Sequence, residues 1–366
     1  MNLDFLKQYD YFVGVPDSYL KSVCDFLMET YGISKNHVIA SNEGNAVGLA
    51  AGYHLATGKI PVVYLQNSGI GNIINPVTSL LHEKVYGIPC LFLVGFRGEP
   101  NTKDEPQHLH QGAVTIDMLE IAGIATFHLK KETTEAEFQE MERTMQTYLG
   151  EGKQVALVVS KDALSYEASL VYENEFTITR EEILECILER SGDNPIVATT
   201  GKTSREVYEL RERKNQGHHM DFLTVGSMGH SSSIALSLAE QRPNKTIFCL
   251  DGDGAMLMHL GGIALIGQRK PKNLVHILLN NHAHESVGGA PTISAGIDWQ
   301  QVARGVGYPA VYTVDSVELL SDMLKKVLDK KELSFIEMKC AIGSRSDLGR
   351  PKETPTENKQ EFMKFI

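Results

Sequence analysis

Asp251-Gly252-Asp253-Gly254-Ala255, answered by Asn280-Asn281 on the far side of one β-α-β unit, decides how this chain folds. The apolar run at 245–250 predicts a buried strand, 257–268 a helix, and 274–279 a second strand. A right-handed crossover makes the two strands parallel, so Asp253 and Asn281 leave them on the same carboxyl edge, where open α/β sheets bind ligands. The glycines let backbone amides approach phosphate oxygens, and Asp253 with the Asn281 amide oxygen offers hard donors suited to Mg²⁺. The spacing reads as a metal-diphosphate site rather than as a plain polar turn on a Rossmann-like sheet.

GDGAM, followed 281 − 253 = 28 residues later by the second asparagine of LLNN, resembles the thiamine-diphosphate motif of the decarboxylase and acetolactate-synthase superfamily. The resemblance implies that Asp253, Asn281 and the main-chain carbonyl of Ala283 hold Mg²⁺, with Asn280 the competing ligand one residue away. Gly252, Gly254 and Ala255 then line the diphosphate. It also implies a carboxylate on a separate domain, and Glu43 in Ile39-Ala40-Ser41-Asn42-Glu43-Gly44-Asn45-Ala46 takes that place. A carboxylate sharing a proton with the aminopyrimidine ring favours the tautomer that removes the thiazolium C2 proton. Taken alone, Glu43 also suits the first turn of a helix, where the dipole favours an acid.

Two further stretches agree with the resemblance. Val225-Gly226-Ser227-Met228-Gly229-His230 is similar to the segment whose bulky apolar residue supports the bent cofactor, which would be Met228 beside Ser227; core packing is the alternative for a methionine. Thr199-Thr200-Gly201-Lys202-Thr203-Ser204 is similar to the first phosphate-side loop, with Gly201 and Thr203 against the cofactor. It also mimics a P-loop, but the glycine that a Walker A motif needs five residues before the GK glycine is Ile196 here, which leaves a nucleotide-binding switch as a remote alternative.

The chain has 366 residues, enough for two or three domains that each bury a core. Strand-like runs at 11–15, 62–66, 89–94 and 155–160 alternate with helical stretches, and a polar, acidic segment at 166–179 follows. A second alternation runs through 195–199, 219–225, 245–250, 274–279, 310–314 and 333–338. The expected fold class is α/β, with two doubly wound parallel-sheet domains. By the resemblance, 1–170 is the pyrimidine-binding (glutamate) domain and 180–366 the diphosphate- and Mg²⁺-binding domain. No central third domain fits between about residues 165 and 180. The opening residues lack the basic and apolar regions of a signal peptide, and no apolar run reaches membrane-spanning length, so a cytoplasmic protein is expected. The five scattered cysteines, Cys24, Cys90, Cys186, Cys249 and Cys340, read as reduced core residues. A net charge of −11 argues against nucleic acid or an anionic membrane as partner.

This two-domain plan resembles the phosphonopyruvate decarboxylase family, with the sulfopyruvate decarboxylases as relatives. Val15-Pro16-Asp17-Ser18 with Lys21, Gly95-Phe96-Arg97-Gly98-Glu99-Pro100 with Asp104-Glu105-Pro106-Gln107-His108, Thr200-Gly201-Lys202-Thr203-Ser204-Arg205-Glu206, and the stretch from Asn280 to Gly289 carry the likeness. It implies decarboxylation of 3-phosphonopyruvate to phosphonoacetaldehyde and CO₂ in phosphonate biosynthesis of the 2-aminoethylphosphonate type. A sulfopyruvate decarboxylase and an acetolactate-synthase-like carboligase are the alternatives. A small anionic 2-keto acid on an acidic protein needs a local cationic pocket, for which Arg97, Lys202, Arg205 and Lys21 are the cations nearest strand ends. Loss of CO₂ leaves a carbon that must be protonated, and His108, in the loop after the strand at 89–94, and Asp17 are the candidate acids. His218-His219 and His282 with His284 lack thiolates or a third ligand at zinc spacing and are taken as non-ligands. In this superfamily the cofactor bridges the glutamate domain of one subunit and the metal domain of its neighbour. At least a homodimer with active sites at the subunit interface is therefore expected.

Overall fold

The computed structural model describes residues 1–366 as two compact units, Met1–Val171 and Tyr172–Ile366. Six parallel strands form the sheet of the first unit: β1 (Phe12–Gly14), β2 (His37–Ile39), β3 (Val62–Gln66), β4 (Cys90–Gly95), β5 (Ala125–Leu129) and β6 (Gln154–Val159), in the order β2-β1-β3-β4-β6-β5. Helices α1 (Lys21–Tyr31), α2 (Glu43–Thr57), α3 (Ile70–Pro76), α4 (Pro106–Ile121) and α5 (Glu135–Gly150) connect them. One apolar core lies on each face of this sheet. Leu91, Leu93 and Leu157 belong to one, and Phe92, Val94 and Val158 to the other. The central strands are buried on both sides, which is why they appear in the sequence as unbroken apolar runs.

The second unit contains helices α6 (Arg180–Ser191), α7 (Lys202–Arg213), α8 (Ser231–Gln241), α9 (Asp253–Met258), α10 (Gly261–Arg269), α11 (Trp299–Gly305), α12 (Val317–Lys330) and α13 (Pro355–Phe365). Its six parallel strands are β7 (Ile196–Ala198), β8 (Asp221–Leu223), β9 (Ile247–Gly252), β10 (Leu274–Asn280), β13 (Ala310–Val314) and β14 (Ser334–Lys339), with a small hairpin of β11 (Ala283–His284) and β12 (Ala290–Pro291) after β10. The order β13-β14-β10-β9-β7-β8 is the first sheet's order when its strands are counted from β7 and read from the other edge. Each unit therefore has its switch point between its first and third strands, β1/β3 and β7/β9. Parallel α/β sheets hold ligands at the carboxyl ends beside that point.

The structure departs from the sequence reading in four places. Strands β2 and β5 lie at sheet edges; β2 is only three residues long, and β5 is mostly half-buried. Neither shows the apolar run of a central strand. The helix expected at 257–268 is two helices, broken at His259, whose φ of −132° and ψ of 49° leave the helical region. His108 lies on α4 rather than in a loop, because Pro106 at the first helical position starts that helix two residues earlier. Lys202 opens α7 instead of sitting in the preceding loop, and Gly201, with φ of +93°, supplies the turn before it.

Candidate active site

In the first unit, Glu43 is the first residue of α2, and the side chain of Asn42 caps that helix by accepting the Asn45 N–H. The Glu43 side chain is buried, and its Oε2 accepts a hydrogen bond from Asn72 at 2.7 Å. Burial pushes its carboxyl above the ordinary value, while the Asn72 bond works the other way. Gly69 packs directly on it, since a Cβ there would lie 2.3 Å from Oε1.

Asp17, Arg97 and His108 gather at the carboxyl ends of β1 and β4. Asp17 is buried; Gln66 donates to its Oδ1, and the Tyr19 N–H donates to its Oδ2 at 3.0 Å. Burial raises the Asp17 carboxyl, and the Gln66 and Tyr19 bonds, with the charge of Arg97, oppose that rise. Arg97 binds Asp104 through both Nε (2.8 Å) and Nη2 (2.5 Å), donates to Ser18 Oγ at 3.1 Å, and lies 4.7 Å over the Tyr19 ring. Burial alone would raise Asp104, but the bonds from Arg97 and from the Glu105 and Gly98 amides hold it well below the usual carboxylate range. His108 is buried, with no hydrogen bond to Nδ1; desolvation and then the Arg97 charge lower it to about 4, so the ring is neutral near neutral pH. Lys21 does not join this cluster and pairs with Asp25 on its own helix.

In the second unit, Asp253 starts α9 at the end of β9 and is 3% exposed. Its Oδ2 accepts the Thr292 hydroxyl at 2.5 Å, and burial raises the carboxyl to about 7 despite that bond. Asn280 and Asn281, adjacent in sequence, have different surroundings. The Asn280 amide donates to Glu337 at 2.8 Å, and its oxygen accepts from Ser294 Oγ at 2.8 Å and from the His282 N–H at 3.3 Å. Asn281 begins the loop and donates Nδ2 to Glu285 at 3.0 Å, while its Oδ1 accepts the Ala283 N–H at 3.1 Å.

Glu285 also holds Lys202 Nζ at 2.9 Å and Arg180 Nη1 at 2.5 Å; Arg180 in turn makes a two-point contact with Glu206. Lys202, Asn281, Glu285 and Arg180 thus form one network. The Arg205 guanidinium donates to the Leu348 and Gly349 carbonyls. A Cβ on Gly254 would lie 3.3 Å from the Met228 methyl carbon and 3.2 Å from His284, so the Ser227–Met228 turn packs against the start of α9. The Thr203 side chain is buried beside Ser204, whose hydroxyl donates to the Thr199 carbonyl at 2.8 Å.

Both units match models of thiamine pyrophosphate enzymes. The N-terminal TPP binding domain matches residues 3–121, and the C-terminal TPP binding domain matches 199–338. A phosphonopyruvate decarboxylase of Streptomyces viridochromogenes is 34% identical over 96% of this chain and 90% of its own length. The chain belongs to the thiamine-diphosphate-dependent decarboxylases. A sulfopyruvate decarboxylase of Methanosarcina acetivorans is 29% identical over 100% of this chain and 96% of its own. A sulfopyruvate decarboxylase subunit beta of Methanococcus maripaludis is 32% identical and aligns with 52% of this chain and 98% of its own. As a thiamine-diphosphate enzyme, the protein is a decarboxylase rather than the nucleotide-binding switch that Gly201-Lys202-Thr203 could suggest.

For this decarboxylase, sequence reasoning missed the segment Gln66-Asn67-Ser68-Gly69 at the end of β3. Gln66 holds Asp17, Gly69 packs on Glu43, and Asn67 Nδ2 donates to the Arg97 carbonyl at 2.7 Å. A polar-glycine cluster directly after the buried run at 62–65 was the available signal. Thr292 and Arg180 were missed as well, because long-range packing brings each to the site, and Glu285, inside the Asn280–Gly289 stretch, was given no role.

Proposed function

We propose that this enzyme decarboxylates 3-phosphonopyruvate to phosphonoacetaldehyde and CO₂, using Mg²⁺ to hold the diphosphate of its cofactor. The observation that carries the reading is the cluster of Arg97, Asp17 and His108 at one sheet edge, where a fixed guanidinium stands beside a buried acid and a neutral imidazole. The named relative that is 34% identical over 96% of the chain supports the same substrate.

The residues of the second unit fit the diphosphate and its cation. Asp253 is a buried carboxylate whose proton is held up to about 7 by desolvation, a cost that a divalent cation in the proton's place would offset. Asp253, Asn281 Oδ1 and the Ala283 carbonyl form an all-oxygen donor set of the kind Mg²⁺ takes. Asn281 suits this role better than Asn280, because Asn280 Oδ1 already accepts from both Ser294 Oγ and the His282 N–H, whereas Asn281 Oδ1 accepts from the Ala283 N–H. Gly252, Gly254 and Ala255 would border the diphosphate, with Gly201, Thr203 and Ser227 on its other sides and Met228 beneath the rings. When bound, thiamine diphosphate supplies the electron sink that accepts the charge left by departing CO₂.

Glu43 is a buried carboxyl that burial raises and whose Oε2 accepts from Asn72, which suits it to exchange a proton with a ring nitrogen. Arg97 and Lys202 would orient the phosphonate, each pre-positioned by a carboxylate, Asp104 and Glu285 respectively. His108 or Asp17 would deliver the proton to carbon. Lys21, paired with Asp25, and Arg205, bonded to the Leu348 and Gly349 carbonyls, are the further candidate cations for the substrate.

We also propose at least a homodimer with active sites shared between subunits. The subunit named in the Methanococcus relative supports assembly as a property of the family. No helix is long and apolar enough to cross a membrane, and the five buried free cysteines support a reducing, cytoplasmic setting.

The test is CO₂ release with aldehyde trapping on phosphonopyruvate, sulfopyruvate and pyruvate side by side. The expected order of kcat/KM is phosphonopyruvate, sulfopyruvate, pyruvate, with Arg97→Ala narrowing the gap between first and last. A preference for sulfopyruvate moves the assignment to the sister activity. Efficient turnover of pyruvate alone, or acetolactate-like products from it, refutes the anionic pocket.

A further inference from the structure

One cluster in the second unit takes no part in the chemistry described above. Cys249 and Asp251 stand two apart on β9 and therefore point to the same face of the sheet. His276 on β10 is in register with Cys249, which brings its ring to that face as well. All three side chains are fully buried, and one donor atom from each lies within 4.8 Å of the other two. Asp251 Oδ2 and His276 Nε2 have no hydrogen-bond partner, although they face each other at 3.5 Å. Polar atoms left without a hydrogen bond in a packed core are unfavourable, so their persistence asks for a ligand.

The surroundings match what a coordinated cation needs. His276 Nδ1 is hydrogen-bonded to the Tyr308 hydroxyl at 3.0 Å, which fixes the ring and leaves Nε2 as the free nitrogen, the outer-partner pattern of a metal-ligating imidazole. The His276–Asp251 separation of 3.5 Å falls within the roughly 3.3–3.8 Å edges of a tetrahedron whose ligands stand about 2.0–2.3 Å from zinc. A thiolate and a carboxylate would neutralise a divalent charge, with a neutral imidazole completing the set. Ser231, also buried, lies against Cys249.

We propose that Cys249, Asp251 and His276 form a structural site for a borderline-soft divalent cation, Zn²⁺ above all, chemically unlike the all-oxygen Mg²⁺ site at Asp253. Sulfur and imidazole donors select against Mg²⁺ and Ca²⁺. Full burial means that the ion enters during folding and exchanges slowly afterwards.

The test uses the intact holoenzyme. After overnight dialysis against EDTA and reloading with Mg²⁺ and thiamine diphosphate, elemental mass spectrometry should find one zinc per chain, while magnesium comes and goes with the chelator. Protein produced in Co²⁺ medium should show a thiolate-to-cobalt charge-transfer band. Cys249→Ser should lose that band and the zinc, with a lower Tm and thiamine-diphosphate binding retained. If the variant fails to fold, the zinc content and cobalt spectrum of the unaltered enzyme decide alone. Zinc-free protein whose Tm is unmoved by Zn²⁺ and whose cobalt form lacks the band overturns the proposal, leaving Asp251 and His276 as a buried pair. Equal zinc in Cys249→Ser and the unaltered enzyme overturns it too.

Discussion

Glu43 and Asp253 are both buried carboxylates at the first position of a helix, and burial raises both, yet they are expected to fail differently. Asp253→Ala removes the donor for the cation, so thiamine diphosphate should no longer survive gel filtration with the protein; retention at unaltered affinity would count against the assignment. Glu43→Gln keeps size and the Asn72 contact but removes the exchangeable proton. Cofactor binding should persist while turnover falls roughly 10²- to 10⁴-fold, with slowed exchange of the thiazolium C2 proton as the matching readout. His108 supplies a pH signature. Its pKa in the folded state is about 4 against an ordinary value of 6.5, so between those limits the unfolded chain binds a proton that the native one does not. Stability from this group is complete above 6.5 and is lost as pH falls toward 4, by up to about 3 kcal/mol. Urea midpoints at pH 7 and pH 5 should converge for His108→Gln relative to the unaltered enzyme; an unchanged gap would remove His108 from that account. These three residues were legible in the sequence because each belongs to a short local motif. Asn72 and Thr292, which bond Glu43 and Asp253, and Gln66, which bonds Asp17, were not, since distant parts of the chain deliver them and no spacing records that.

Among the elements, legibility followed burial. Strands β3, β4, β6, β9 and β10 lie inside their sheets, and their residues form continuous apolar runs that can be read directly. Edge strands β2 and β5 have a weaker pattern, and the break between α9 and α10 carries no proline to mark it. The turn after β3 is the element whose importance was least visible. Gly69 there has an ordinary φ of −80°, so alanine causes no backbone strain, yet its Cβ would sit 2.3 Å from Glu43 Oε1. Gly69→Ala should therefore displace the Glu43 carboxylate, cutting turnover at least about tenfold with a stability cost of only ~1–3 kcal/mol. Steady-state kinetics beside a thermal melt separate the two effects. Wild-type kcat in a folded variant would show that the glycine is not there for the glutamate.

At the scale of the whole molecule, one topology is used twice, and under the proposed function its two copies would carry complementary chemistry, the acid Glu43 in the first unit and the oxygen donors around Asp253 in the second. Two sheets of the same order with different groups at their carboxyl ends would suit a cofactor with two chemically distinct ends. If the acid of one subunit serves the diphosphate of its neighbour, as proposed, two inactive variants can repair each other. Glu43→Gln and Asp253→Ala chains, co-expressed under different tags, should form hybrids in which one active site receives both substitutions and the other receives neither. With random pairing in a dimer, half of the assemblies are hybrids with half their sites intact, so activity should return to about a quarter of the unaltered level. Hybrids isolated through both tags should reach about half. Recovery to that extent with phosphonopyruvate as substrate places the two carboxylates of each site on different chains. Hybrids no more active than the parent variants would instead put Glu43 and Asp253 of one chain in the same site, and the shared-site proposal would fall while the assignment of each residue stood.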